Sequence, residues 1–393
     1  MSPDRIRIAV VGAGIGGLTA AIALRGAGLH VDVYEQAPVL TEVGAGIHLA
    51  PNGSRLLHRL GLGESLRAHA VRPEELEVRA WDTGAVLARQ PMGATWETRF
   101  AGSHYTLHRA DLHRLLAERV PASAVHLRHR VVAVTEDTDG VRIDFADGTH
   151  ARADVLVAAD GVHSVVRRTL APAERPVLTG SAAIRAVVPA DGPALPVDAM
   201  LTWSGPTGRL LAHPVRGGRQ TAFVAVLADG SDVDGPAAAG ESWSRAADIA
   251  ALRWAFADWE PTARKLVESA AEAGHWTLYD REPLPRWSTG RTTLLGDAAH
   301  PMLPHHGQGA SQAIEDAVAL AALLAHHGDR PGGVREALRR YEELRLDHTS
   351  RVRLGSLGGG SQRLAAGVAH VVDDVTWVQR YDVQAELAVA GVL

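Results

Sequence analysis

Apolar residues run from Ile6 to Val11 and give way to Gly12-Ala13-Gly14-Ile15-Gly16-Gly17. They resume from Leu18 to Gly26 as an Ala/Leu-rich stretch with helical spacing, and Val31-Asp32-Val33-Tyr34-Glu35 follows with strand character. Strand, glycine turn, helix and strand in this order predict a βαβ unit. The texture returns later. Val155 to Ala159 is apolar throughout and ends on Asp160-Gly161, while Thr292 to Leu295 reads as another buried strand and ends on Gly296-Asp297. Ala310 to Ala325 then reads as a long helix. Strands without a polar face, separated by helices, predict an α/β fold with a buried parallel sheet.

Other stretches differ. Asp139-Gly140 and Asp147-Gly148 punctuate short strands between Val131 and Ala159, a hairpin signature. From Val177 to Ala228 short alternating strands are separated by Gly205-Pro206-Thr207-Gly208 and Gly217-Gly218, and a Trp-containing helical region extends to Gly274. This predicts a second, β-rich domain. Gly44 to Asn52 reads as a flexible loop before a short helix around Ser54 to Leu60. Arg109 opens an amphipathic helix with Leu112, Leu115 and Leu116 on one face, and Leu357-Gly358-Gly359-Gly360-Ser361 reads as a flexible break before C-terminal helices. The expected organisation is a discontinuous dinucleotide-binding domain over residues 1–72, 106–176 and 286–350, a β-rich domain over 73–105 and 177–285, and a helical region over 351–393.

Composition narrows the chemistry. The 393 residues contain no cysteine, which excludes a thiolate nucleophile, a cysteine-ligated metal and a cysteinyl cofactor link. Redox work then requires a bound cofactor. Forty Lys+Arg against 45 Asp+Glu leave a net charge of −5 without long blocks of one sign, so neither nucleic acid nor an anionic membrane is an expected partner. The N-terminal apolar run leads into glycines, not a cleavage site, and Ala317 to Ala325 falls short of the roughly 18 residues a membrane span needs. A cytoplasmic protein without a membrane span is expected.

The glycines carry the most specific chemistry. Gly12, Gly14 and Gly17 have the GxGxxG spacing between a strand and a helix, where a tight turn lets a pyrophosphate reach the helix N-terminus. Glu35 follows at the end of the second strand, where an acid accepts hydrogen bonds from a ribose. In the segment Gly296 to Asp316, an acid ends a strand, prolines hold an extended crossing, and a second glycine turn feeds a second helix N-terminus. A second such end can stabilise negative charge elsewhere on the same long dinucleotide.

Three motifs in order, GxGxxG with Glu35, Asp160-Gly161-Val162-His163-Ser164-Val165-Val166-Arg167 and Gly296-Asp297-Ala298-Ala299-His300-Pro301, resemble those of the single-component FAD-dependent aromatic hydroxylases. That family includes p-hydroxybenzoate, salicylate and 6-hydroxynicotinate hydroxylases. Gly44 to Asn52 and Trp377 to Asp382 resemble the salicylate and 6-hydroxynicotinate branch, although Arg209 and His213 stand where the latter enzymes use a His and Tyr pair. The resemblance implies a Rossmann-like FAD-binding domain of the p-hydroxybenzoate hydroxylase type, with an inserted β-rich substrate domain and a helical C-terminal region. It also implies that Gly12, Gly14, Gly17, Glu35 and Gln36 hold the ADP half of FAD. Arg109 and Asp160 would contact the cofactor, Asp297 its ribityl and pyrophosphate region, and Pro304, Gly307, Gly309 and Ala310 would flank the flavin ring.

The implied activity is hydroxylation of a small aromatic or heteroaromatic substrate. It would use NADH or NADPH and O2 through a flavin C4a-hydroperoxide, with FAD held non-covalently by a monomer or homodimer. His48, His213 and His305 are the candidate bases or substrate partners, because a base that deprotonates a ring hydroxyl raises ring nucleophilicity. Arg185 and Arg209 are candidates for binding a substrate carboxylate. No metal is expected, since His300, His305 and His306 lie in a Pro-rich segment without an HExxH pattern. A related epoxidase or reductase, and a non-catalytic dinucleotide-binding module, are the alternative readings.

Overall fold

The computed structural model describes residues 6–40, 45–171, 174–190, 195–206, 208–228, 244–328, 330–358 and 376–393. Gly44, Thr207 and Gly359-Gly360-Ser361, named above in a loop, a turn and a break, lie outside the described residues.

Strand Arg7–Val11 is central in a parallel sheet whose order is Thr292–Leu294, Val155–Ala158, Arg7–Val11, His30–Tyr34 and Val125–His126. Its two neighbours are Val155–Ala158 and His30–Tyr34, and Thr292–Leu294 pairs with the former on the outside. Helix Ile15–Gly26 packs against helix Gly309–His327, and both contribute to one apolar core with the sheet. The long helix buries residues almost all round, because helix Ile15–Gly26 lies on one side and helices Gly333–Gly358 and Pro51–Leu57 on others. The Asp-Gly dipeptides close the two hairpins of a three-stranded antiparallel sheet, Val131–Glu136, Val141–Phe145 and His150–Ala153.

A separate eight-stranded sheet runs in the order Ser244–Ala246, Gly274–Asp280, Val177–Pro189, Gln220–Ala228, Gly208–Val215, Ala199–Ser204, Glu75–Ala80 and Val86–Pro91. Residues 75–91 join it through a parallel pairing of Glu75–Ala80 with Ala199–Ser204. One face of this sheet packs on helices Ile249–Ala255 and Pro261–Glu268 through Trp203, Leu210, Ala212, Phe223 and Ala225. Trp203 Nε1 donates to Glu260 Oε1 at 2.8 Å, which pairs the one polar atom of a fully buried indole. The opposite face looks toward the parallel-sheet domain.

One expectation is corrected. Gly46–Leu49, read as loop, is a strand pairing antiparallel with Tyr105–His108, and the next helix begins at Pro51, earlier than Ser54. The partner strand lies far away in sequence, so no local pattern announces the pairing. Proline at the helix start is favourable because its missing N–H is one of the unpaired ones there. Among the described residues no helix is long and apolar enough to cross a membrane.

Candidate functional site

Gly12 has φ +97°, and a Cβ there would sit 2.4 Å from Ala159 O; a Cβ on Gly17 would sit 1.9 Å from Gly12 O. Both glycines are therefore demanded by the packing of turn, helix and neighbouring strand. Gly14 differs, because nothing lies within 4 Å of the place its Cβ would occupy. Glu35 closes strand His30–Tyr34 and accepts from Ala13 N at 2.7 Å and Ala37 N at 2.8 Å, so its carboxylate braces the glycine turn. His113 Nε2 lies 2.7 Å from Ala13 O and holds the turn from the other side. Gln36 is exposed beside Glu35.

Asp160 accepts from Val165 N at 2.8 Å through Oδ2, while its Oδ1 is buried without a hydrogen-bond partner among the described residues. Burial pushes its pKa up. The arginine ending the same motif, Arg167, is buried and donates to Ala298 O at 3.1 Å, Ala299 O at 2.7 Å and Glu282 O at 3.0 Å. It thereby stitches the second motif to the third, a role sequence reasoning did not assign.

A cavity of about 300 Å³ lies where the two sheets face each other. From the parallel-sheet side it is lined by Gly14, Arg109, Gly161, Asp297, His305 and the turn of Pro304, Gly307, Gly309 and Ala310. From the eight-stranded sheet come Arg185, Arg209, Leu211, His213, Val224 and Val226, and from strand Gly46–Leu49 comes His48. Arg209, Leu211 and His213 are alternate residues of one strand and share its cavity face, while Leu210 and Ala212 enter the apolar core behind. The structure thus gathers His48, His213, His305, Arg109, Arg185, Arg209 and Asp297 around one space. Gly12, Gly17, Glu35, Gln36 and Asp160 lie outside the cavity lining.

The imidazoles are tightly held. A Cβ on Gly307 (φ +60°) would meet His48 Cε1 at 2.0 Å, and one on Gly46 would meet His213 Cε1 at 2.5 Å, so each ring occupies space that glycine vacates. The His48 and His213 rings lie 6.4 Å apart, edge to face. Burial, with Arg209 adding to it, lowers the His48 pKa to about 4; burial, with His48 adding to it, lowers that of His213 to about 3. Both rings are therefore neutral near pH 7, with a lone pair available to accept a hydrogen bond. Arg185 is lowered to about 10 by burial and by Arg109, with Asp297 opposing. Among the described residues that line the cavity, three arginines stand against one aspartate.

Two further groups were not singled out from sequence. His104 is buried, stacks on His48 with ring centroids 5.2 Å apart and meets Trp96 edge-on at 5.4 Å. It carries no motif spacing, so only the fold reveals it. Behind the Gly296 turn lies a buried ionic network. Asp316 accepts from Gly296 N at 3.0 Å and lies 2.6 Å from His300 Nε2 through Oδ2, and accepts from Arg345 Nε at 2.8 Å through Oδ1. Burial opposes ionisation of Asp316, yet His300 and Arg345 hold its pKa down at about 2. Arg345 Nη1 also lies 2.7 Å from Glu315 Oε2, and Asn52 Nδ2 donates to Glu315 Oε1 at 2.6 Å and Gln308 Oε1 at 3.0 Å. The three motif-region histidines diverge: His300 faces Asp316, His305 the cavity, and His306 the place where a Cβ of Gly355 would sit.

The FAD binding domain family model matches residues 5–354. The 3-amino-4-hydroxybenzoate 2-monooxygenase of Streptomyces cremeus is 46% identical over 349 residues, covering 88% of this chain and 85% of that protein. The 6-hydroxynicotinate 3-monooxygenase of Bordetella bronchiseptica is 38% identical over 387 residues, covering 98% of this chain and 97% of that protein. A salicylate hydroxylase substrate complex superposes with a TM-score of 0.82 at 29% identity, covering 98% of each chain. The chain therefore belongs to the FAD-binding-domain family and is an FAD-dependent aromatic monooxygenase.

Proposed function

We propose that this monooxygenase hydroxylates a small aromatic or heteroaromatic acid that already carries a ring hydroxyl, using NADH or NADPH and O2. The observation that carries the reading is the cavity lining, in which Arg109, Arg185 and Arg209 outnumber Asp297 while His48 and His213 stay neutral. A positive, partly apolar pocket with uncharged bases suits an anionic phenol. The names of the relatives, which specify a hydroxybenzoate and a hydroxynicotinate, support the same substrate class.

The residues present fit FAD. Gly14 leaves room for a ligand, Asp160 keeps a buried unpaired oxygen, and Asp297 stands exposed beside a glycine turn. On this reading Gly12, Gly14, Gly17, Glu35 and Gln36 serve the ADP half, and Arg109, Asp160 and Asp297 serve the middle of the cofactor. Pro304, Gly307, Gly309 and Ala310 flank its ring. Bound FAD supplies hydride acceptance and activation of O2 to an electrophilic oxygen. Overall, the substrate C–H becomes C–OH, the second oxygen leaves as water, and NAD(P)H with a proton provides the two electrons.

The chain's own residues then have defined tasks. Arg185 and Arg209 orient the carboxylate. His48, held neutral, accepts a hydrogen bond from the ring hydroxyl, which raises electron density on that oxygen and activates the ring toward electrophiles. His213 and His305 bound the ring and exclude water, which protects the activated oxygen from wasteful peroxide release.

The test is oxidation of NADH and NADPH by the FAD-loaded protein with 3-amino-4-hydroxybenzoate, 6-hydroxynicotinate and their carboxamides. Stimulation by the acids, with one atom of labelled O2 in the product, supports the reading. Equal stimulation by acid and carboxamide contradicts the anionic substrate, and product without labelled oxygen favours a related reductase.

A further inference from the structure

Arg185 lies on strand Val177–Pro189 directly opposite Gly274, and Ala183 lies opposite Trp276, so Arg185, Gly274 and Trp276 share one face of the sheet. Gly274 contributes no side chain, and the Trp276 indole leans into the space: a Cβ on Gly274 would sit 2.4 Å from Trp276 Cη2. The Arg185 guanidinium lies over the Trp276 ring, 5.0 Å from its centroid, and its Nε is buried without a hydrogen-bond partner. Among the described residues Arg185 has no ion pair within 4.0 Å, unlike the buried Arg345 and Arg167, which face carboxylates.

A buried arginine is ordinarily neutralised by a carboxylate, which fixes it but spends its charge on a protein partner. An aromatic face does something different. It attracts the cation within about 6 Å without supplying a competing anion. Arg185 is also one of the residues lining the cavity. We infer that Trp276, seated over Gly274, is a positioning residue for substrate specificity: it aims the Arg185 guanidinium into the cavity while leaving its charge for the substrate carboxylate. The inference rests on the proposed reading of Arg185 as the carboxylate anchor and adds the device that keeps the anchor ionically free.

The measurement is the dissociation constant of 3-amino-4-hydroxybenzoate and of its carboxamide, read from the flavin absorbance change in FAD-loaded protein, together with kcat and KM for the acid. Trp276→Leu should weaken acid binding roughly tenfold, the scale of a desolvated cation–π contact, leave the carboxamide within about twofold and raise KM more than it lowers kcat. Trp276→Phe, which retains an aromatic face, should stay within about threefold of wild type. Gly274→Ala, which displaces the indole, should act in the direction of Trp276→Leu. If Trp276→Leu fails to load FAD, the Phe and Gly274 variants decide alone. Equal weakening of acid and carboxamide, or a Phe variant as weak as Leu, overturns the inference by making Trp276 a space-filler.

Arg185→Met separates the two readings. If it abolishes discrimination between acid and carboxamide while Trp276→Leu preserves it, only the role of Trp276 falls. If discrimination survives in Arg185→Met, or if neither probe binds wild type, the anchor itself falls.

Discussion

Replacing Asp316 by Asn conserves shape and removes one charge from the network behind the Gly296 turn. Three groups converge on this carboxylate: Gly296 N at 3.0 Å, His300 Nε2 at 2.6 Å and Arg345 Nε at 2.8 Å. An amide offers one acceptor oxygen, so its NH2 must face at least one donor. The shift of Asp316 from 3.8 to about 2 corresponds to about 2 kcal/mol of stability, present above pH ~4 and lost as pH falls through the folded value. Arg345 also loses one of two buried anionic partners, and breaking a buried pair costs about 3–5 kcal/mol. With an unfolding entropy of about 2.1 cal/mol/K per residue, 393 residues convert that range into a fall in Tm of about 4–6 °C. Differential scanning calorimetry on the FAD-free chain measures it. Because Gly296 precedes Asp297, the variant should also weaken FAD binding by about tenfold in a fluorescence titration. A Tm within 1 °C of wild type and an unchanged FAD affinity would refute the argument that this carboxylate holds the turn.

Gly307→Ala places a methyl group 2.0 Å from His48 Cε1 at φ +60°, so peroxide release per NAD(P)H oxidised should rise severalfold. Coupling equal to wild type would show that the ring yields harmlessly. His48→Ala should retain FAD and lower the hydroxylation rate by about tenfold or more, measured by single-turnover product formation; an unchanged rate removes His48 as the partner of the ring hydroxyl. His48 and His213 have folded pKa values of about 4 and about 3, below the ordinary 6.5, so the unfolded state takes up protons that the folded state refuses. Their contribution is complete above pH ~6.5 and declines below it, and by pH 5 each has lost about 2 kcal/mol. Urea melts at pH 7.5 and 5 should differ accordingly, and His213→Gln should shrink the difference. Asp297→Ala should lower FAD content after purification, and full retention would contradict its assignment to the cofactor.

The parallel sheet was legible because its strands are apolar on both faces and end on glycine or aspartate, as Val155–Ala158 and Thr292–Leu294 do. The strand Gly46–Leu49 was not, because it exists only through pairing with Tyr105–His108. His48, His213, Arg185 and Arg209 were readable as candidates by residue type and position. Their convergence was not, since it depends on which face of each strand looks inward. In the run Gly208 to Val215, Leu211 stands between Arg209 and His213 on the cavity face while Leu210 and Ala212 stand on the core face, so apolar residues on both faces blur that choice. His104 and Arg167 act through contacts distant in sequence, as does Trp276 through its contact with Arg185 on the neighbouring strand.

The position of Thr292–Leu294 at the edge of the parallel sheet has a consequence for biosynthesis. Until it emerges from the ribosome, Val155–Ala158 is an unpaired edge, and helix Ile15–Gly26 lacks the cover later given by Gly309–His327. A nascent chain stopped near residue 290 would thus display an apolar helix face and an open strand edge. It would be prone to chaperone capture and, without the Gly296 and Gly307 turns, would have no closed seat for a flavin. If those turns seat the flavin as proposed, loading of the cofactor waits for the end of synthesis.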